Sequence, residues 1–84
     1  MSARAAPSIP VEVLMQIEAH RPDLTPLIHE LAIASDPDRM RALERRLAAA
    51  YLAGASALEP EQAWMLSACL DGRPYGEAAK GRFH

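Results

Sequence analysis

Apolar residues recur along this chain every three or four positions, in four separate stretches. Ile9, Val13, Leu14 and Ile17 form the first stripe, and Leu24, Leu27, Ile28 and Leu31 the second. Met40, Leu43, Leu47 and Ala50–Tyr51 form the third, and Leu58, Met65, Leu66, Cys69 and Leu70 the fourth. That spacing puts each set on one face of an α-helix. Polar punctuation separates the stripes. Proline is tolerated in the first helical turn, where its missing N–H would have no intrahelical partner. Ser, Thr or Asp just before it can cap that turn. Ser8 precedes Pro10, Thr25 precedes Pro26, Asp36 precedes Pro37, and Glu59 precedes Pro60. Ser56 to Glu59 is a competing capping box for the last start.

These signals predict helices over 9–20, 26–34, 37–53 and 59–70. Pro22, Gly54 and Gly72 act as stops. The expected fold is all-α: a small four-helix bundle-like single domain over residues 1–84. Residues 1–8 form a flexible N-terminus. Residues 73–84 form a short tail, free to flex, with room for one turn near Tyr75 to Lys80. The centre of the core is expected at Leu27, Leu31, Leu43, Leu47, Leu66 and Leu70.

Composition sharpens this reading. The chain is 50% apolar, which suits a globular domain rather than a disordered one. Val, Thr, Phe and Tyr, the strand formers, are scarce. At 84 residues a single core rarely supplies more than roughly 3–5 kcal/mol, so a partner would help. A net charge of −2 gives no global pull toward nucleic acid or an acidic membrane. Cys69 is the single cysteine, which excludes an internal disulfide and fits a reducing cytoplasm. Met1 to Pro7 lacks the apolar run of a signal peptide, and Leu47 to Leu58 is too short to span a bilayer. The expectation is a cytoplasmic protein with no membrane contact.

Catalytic chemistry finds no foothold. His20, His29 and His84 lack the i, i+4 spacing of a helical metal site, and Cys69 has no neighbouring cysteine. His20, at a helix C-terminus, suits the dipole when protonated. Glu12, Glu18, Glu30 and Glu44 lie on polar helix sides. No serine sits in a nucleophile elbow, and the glycines are dispersed rather than gathered into a phosphate loop. No catalytic, cofactor or metal residues are expected, and an enzyme is not.

What remains is binding. Val11 and Met15 lie off the Val13–Ile17 stripe, and Ile33 lies roughly opposite Leu27 and Leu31. Trp64 points away from Met65, Leu66, Cys69 and Leu70, beside Ala68 one turn later, where the small side chain allows close approach. Surplus apolar faces and tryptophans mark interaction sites. Alternatively, Tyr75 or Phe83 folds back and covers Trp64. Arg39, Arg41, Arg45 and Arg46 form the one basic cluster, with Asp38 and Glu44 within i, i+3 reach of Arg41. These residues predict a non-enzymatic module, an adaptor, inhibitor or chaperone-like partner, that binds another protein or a second copy of itself.

The segment Leu58-Glu59-Pro60-Glu61-Gln62-Ala63-Trp64-Met65-Leu66-Ser67-Ala68-Cys69-Leu70-Asp71-Gly72-Arg73-Pro74-Tyr75-Gly76-Glu77-Ala78-Ala79 resembles the first half of a helix-turn-helix. It is similar to the output domain of response regulators and to the fourth region of sigma factors. There a Leu-x-Pro start opens a scaffold helix, a Gly closes it, and a Glu-Ile-Ala-like step opens the next. The resemblance implies an alternative function, a DNA-binding regulator working as a dimer and using the arginine cluster. It carries no DNA contact onto particular residues, because a recognition helix must enter the major groove and the sequence ends at His84.

Overall fold

The computed structural model describes residues 6–77. Among them lie four α-helices: α1 Val11–His20, α2 Thr25–Ile33, α3 Pro37–Leu52 and α4 Pro60–Ser67. A 3₁₀ turn, Pro22–Leu24, joins α1 to α2, and a second, Ala68–Asp71, extends α4. No strand occurs among the described residues, so the all-α, four-helix reading holds.

Proline chemistry sets most of the boundaries. Pro10 is extended and its carbonyl accepts the N–H groups of Val13 and Leu14, both at 3.0 Å. Ser8 does not cap this helix. Asp36 caps α3 as expected, its carboxylate accepting from the Asp38 N–H at 3.4 Å with Pro37 next in line. Thr25 does not cap α2. The 3₁₀ turn runs straight into the helix, Thr25 is already helical, and the cap position falls on Leu24. At α4 the Glu59 start prevails over Ser56: Gln62 Oε1 accepts from the Glu59 N–H at 3.2 Å. Ser56 instead folds the approach, its hydroxyl accepting from the Leu58 N–H at 3.1 Å.

α3 is the axis of the molecule. It buries Met40, Leu43, Leu47, Ala48 and Tyr51 and packs against α2, α4 and the second 3₁₀ turn. Val13, Leu14 and Ile17 of α1, Ile28 and Leu31 of α2, and Leu66 and Cys69 complete the core, together with Ile9 and Leu58 from outside the helices. Leu31, Leu43, Leu47 and Leu66 are buried as expected, and Leu27 is half-buried.

Leu70 departs from expectation at 37% exposed. An α-helix turns about 100° per residue, but a 3₁₀ segment turns about 120°. The tightening at Ala68 therefore swings Leu70 off the Leu66 face. Gly72 ends the segment with φ 77°, the left-handed conformation that glycine adopts without a Cβ clash. The chain then reverses: Arg73 N–H donates to the Ala68 carbonyl at 3.1 Å and Gly76 N–H to the Met65 carbonyl at 3.0 Å. The first part of the expected tail is thus folded onto α4. Phe83, His84 and the remainder of the expected turn to Lys80 lie outside the described residues.

Candidate interaction surface

Val11 and Met15 stand one turn apart on α1, 66% and 63% exposed. They occupy the face opposite Val13, Leu14 and Ile17, as the pattern predicts. Ile33, at the last position of α2, is 77% exposed. Beside it an open depression of about 250 Å³ is lined by Glu30, Ala34, Ser35, Asp36 and Arg39. Ligand pockets usually enclose roughly 300–1,000 Å³, so this notch is better suited to a protruding side chain than to a cofactor. Arg39 closes one side of it, its Nη2 donating to Glu30 Oε1 at 2.9 Å.

Two of the nine expected contact residues are placed differently. Ala68 is buried at 1%, where the 3₁₀ turn packs on α3 and Arg73 returns onto its carbonyl. It offers no surface to a partner. Arg41 is drawn inward, its Nη1 donating to Glu44 Oε1 at 3.3 Å. With Arg39 on Glu30, the basic cluster divides. Arg45 and Arg46 are exposed and form no ion pair with the described residues. Trp64 is half-buried and engaged in a contact of its own.

The largest departure is Glu44. It was expected on the polar side of its helix and is instead wholly buried. Its carboxylate accepts from the Ser8 N–H at 2.6 Å, the Ser8 hydroxyl at 2.8 Å and the Ile9 N–H at 3.1 Å, besides Arg41. A buried charge is tolerated only when its lone pairs are filled in this way. The periodicity carried a signal: Met40, Glu44 and Ala48 share i, i+4 spacing with buried Tyr51 close behind. Ser8, expected at the end of a flexible N-terminus, is therefore tied down, whereas residues 1–5 lie outside the described residues.

No family model, curated protein or solved structure matches this chain.

The remaining polar groups hold the fold. Tyr51 Oη accepts from the Ala57 N–H at 2.8 Å and pairs with His20 Nδ1 at 2.9 Å, joining α1, α3 and the loop before α4. The His20 ring meets the Tyr51 ring edge-on, centroids 5.7 Å apart. His29 Nε2 lies 4.0 Å from Glu18 Oε2. No set of three potential metal ligands gathers among the described residues. Burial, with the Glu44 charge behind it, pushes the Cys69 thiol up to about 12, far from a reactive thiolate. No helix among the described residues is long and apolar enough to cross a membrane. The segment that the sequence likens to a helix-turn-helix holds α4 and the Gly72 turn, and its Glu77-Ala78-Ala79 step runs out of the described residues.

Proposed function

We propose that this chain is a small protein–protein interaction module without chemistry of its own. It acts in the cytoplasm as an adaptor, inhibitor or chaperone-like partner of another protein, or by pairing with a second copy. The carrying observation is the exposure of Val11, Met15 and Ile33, when the other large aliphatic side chains among the described residues, Leu70 apart, are buried or half-buried. Each such side chain forgoes about 1.5–3 kcal/mol of burial while it faces water. A partner that covers them recovers that energy. The single thiol, Cys69, buried and unpaired, supports a reducing compartment.

The test compares the parent with a Val11→Glu/Met15→Glu double variant and with Ile33→Glu. Self-association is read by sedimentation, and complexes with other proteins by co-purification from the source cell. At least one variant is expected to lose an associate that the parent holds. If both keep every associate, or the parent holds none, the reading fails. DNA binding has less support, because Arg39 and Arg41 already serve Glu30 and Glu44. Salt-dependent binding of duplex DNA, abolished by Arg45→Ala/Arg46→Ala, would put it in first place.

A further inference from the structure

The N-terminal arm, residues 6–9, and the turn at 73–77 come from opposite ends of the sequence and meet at one side chain. Ser8 Oγ donates to Glu44 Oε1 at 2.8 Å and accepts from the Tyr75 N–H at 2.9 Å. A hydroxyl has one proton and two lone pairs, so it performs both roles at once. Among the described residues, every hydrogen bond that the arm makes runs to Glu44 or from Tyr75. Ile9 plugs the core and Tyr75 packs against it. Cys69, also buried there, belongs to the same core cluster as Ile9 and lies close enough to Glu44 to feel its charge.

We propose that Ser8 and Glu44 form a latch that fastens the N-terminal arm to the C-terminal turn, so that the two open together and uncover the Cys69 end of the core. The half-open state in which the arm alone has left is disfavoured. If the arm leaves alone, Glu44 becomes a buried carboxylate with Arg41 as its one remaining hydrogen-bond partner, and the Tyr75 N–H loses its acceptor. Removing one partner from a buried charge is strongly unfavourable. The economical opening detaches arm and turn in one step and lets water reach Glu44. The rest of α3 need not move, because it also packs against α2 and α4. Such an opening is a local event of lower free energy than global unfolding.

Cys69 is the chain's one thiol, so it reports the opening directly. The experiment follows labelling of Cys69 in the full chain by an aromatic disulfide reagent across a denaturant series, with amide hydrogen exchange alongside. In the parent, labelling at low denaturant should be slow and nearly independent of denaturant. The Ile9 and Tyr75 amides should exchange at matching opening free energies, below that of Leu47. Ser8→Ala removes the hydroxyl and should speed both labelling and Tyr75 exchange about tenfold or more, the scale of a lost hydrogen bond to a charged group. Ser8→Thr keeps a hydroxyl and should restore the parent rates. The proposal is overturned if Cys69 labels only with the denaturant dependence of global unfolding. It is equally overturned if Tyr75 exchange is indifferent to Ser8→Ala. Should Ser8→Ala fail to fold, the parent's exchange alone decides, since unequal opening at Ile9 and Tyr75 rules out a joint latch.

Discussion

Glu44 and Tyr51 are the two residues on which the polar interior depends. Glu44→Ala would strip the acceptor from the Ser8 and Ile9 N–H groups and leave Arg41 facing the gap. Arg41, 39% exposed, can turn to water, but the buried amide donors lose a charged acceptor, a loss of about 1.5–3 kcal/mol. The urea midpoint of Glu44→Ala should fall accordingly. Tyr51→Phe is a gentler case. It keeps the ring in the core and removes only the hydroxyl shared by His20 and Ala57. Both partners are exposed and can turn to water, so the loss should be about 1 kcal/mol, the net value of an ordinary hydrogen bond. A Tyr51→Phe protein that melts like the parent would show that the hydroxyl is not what joins α1 to the α4 loop. The role of Glu44 was hidden from sequence because its amide donors, Ser8 and Ile9, arrive from 36 and 35 positions away. The stripe position alone could not say that they would be there.

At the scale of elements, the proline starts were legible because their cause is local. A missing N–H and a fixed φ act within one turn, whatever the rest of the chain does. The Thr25 cap and the Leu70 position were not legible, because each depends on a neighbouring 3₁₀ turn whose formation is a packing outcome. α3 was readable as a helix, since its apolar stripe runs from Met40 to Tyr51, whereas the buried Glu44 within that stripe was not. Leu47 lies at its centre with no exposure. Leu47→Ala should cost about 2–5 kcal/mol, transfer energy plus cavity, and calorimetry of the variant would show it as a large fall in Tm. The α1–α2 junction has a different signature. Arg21 clamps Asp23 through two hydrogen bonds, at 2.9 and 2.8 Å, and the hydrogen bond holds the Asp23 carboxyl below its usual range. A depressed carboxyl contributes stability that is present above its unfolded pKa and lost as pH falls through the folded value. The contribution is small, because both groups face solvent. Asp23→Asn should flatten the dependence of the urea midpoint on pH below about 4, where an unfolded carboxylate titrates. An acid limb identical to the parent's would remove this pair from the account.

For the whole molecule, the division between inside and outside decides what the surface can be asked to do. The apolar pattern placed Val11, Met15 and Ile33 outside and the structure leaves them there, whereas Ala68 went inside and Arg41 was turned toward Glu44. The first three were readable because an isolated helix already fixes which residues face away from its stripe. The place of Ala68 required knowing that the chain doubles back at Gly72; the Arg41–Glu44 pair was legible from its i, i+3 spacing, whereas the burial of Glu44 was not. Exposed side chains that touch little can be exchanged at little cost, usually within about 0.5 kcal/mol. Val11→Glu/Met15→Glu and Ile33→Glu should therefore melt within a few degrees of the parent, with unchanged helical circular dichroism. Glutamate at position 11 even falls in the first turn of α1, where a negative charge favours the helix dipole. Such neutrality separates the two meanings of an exposed apolar side chain. A partner-binding surface loses its associate while stability is unchanged, whereas a concealed structural role appears as lowered stability first. A clear fall in Tm for the double variant would mean that the α1 face is covered within the molecule, and the interaction reading would then rest on Ile33 alone.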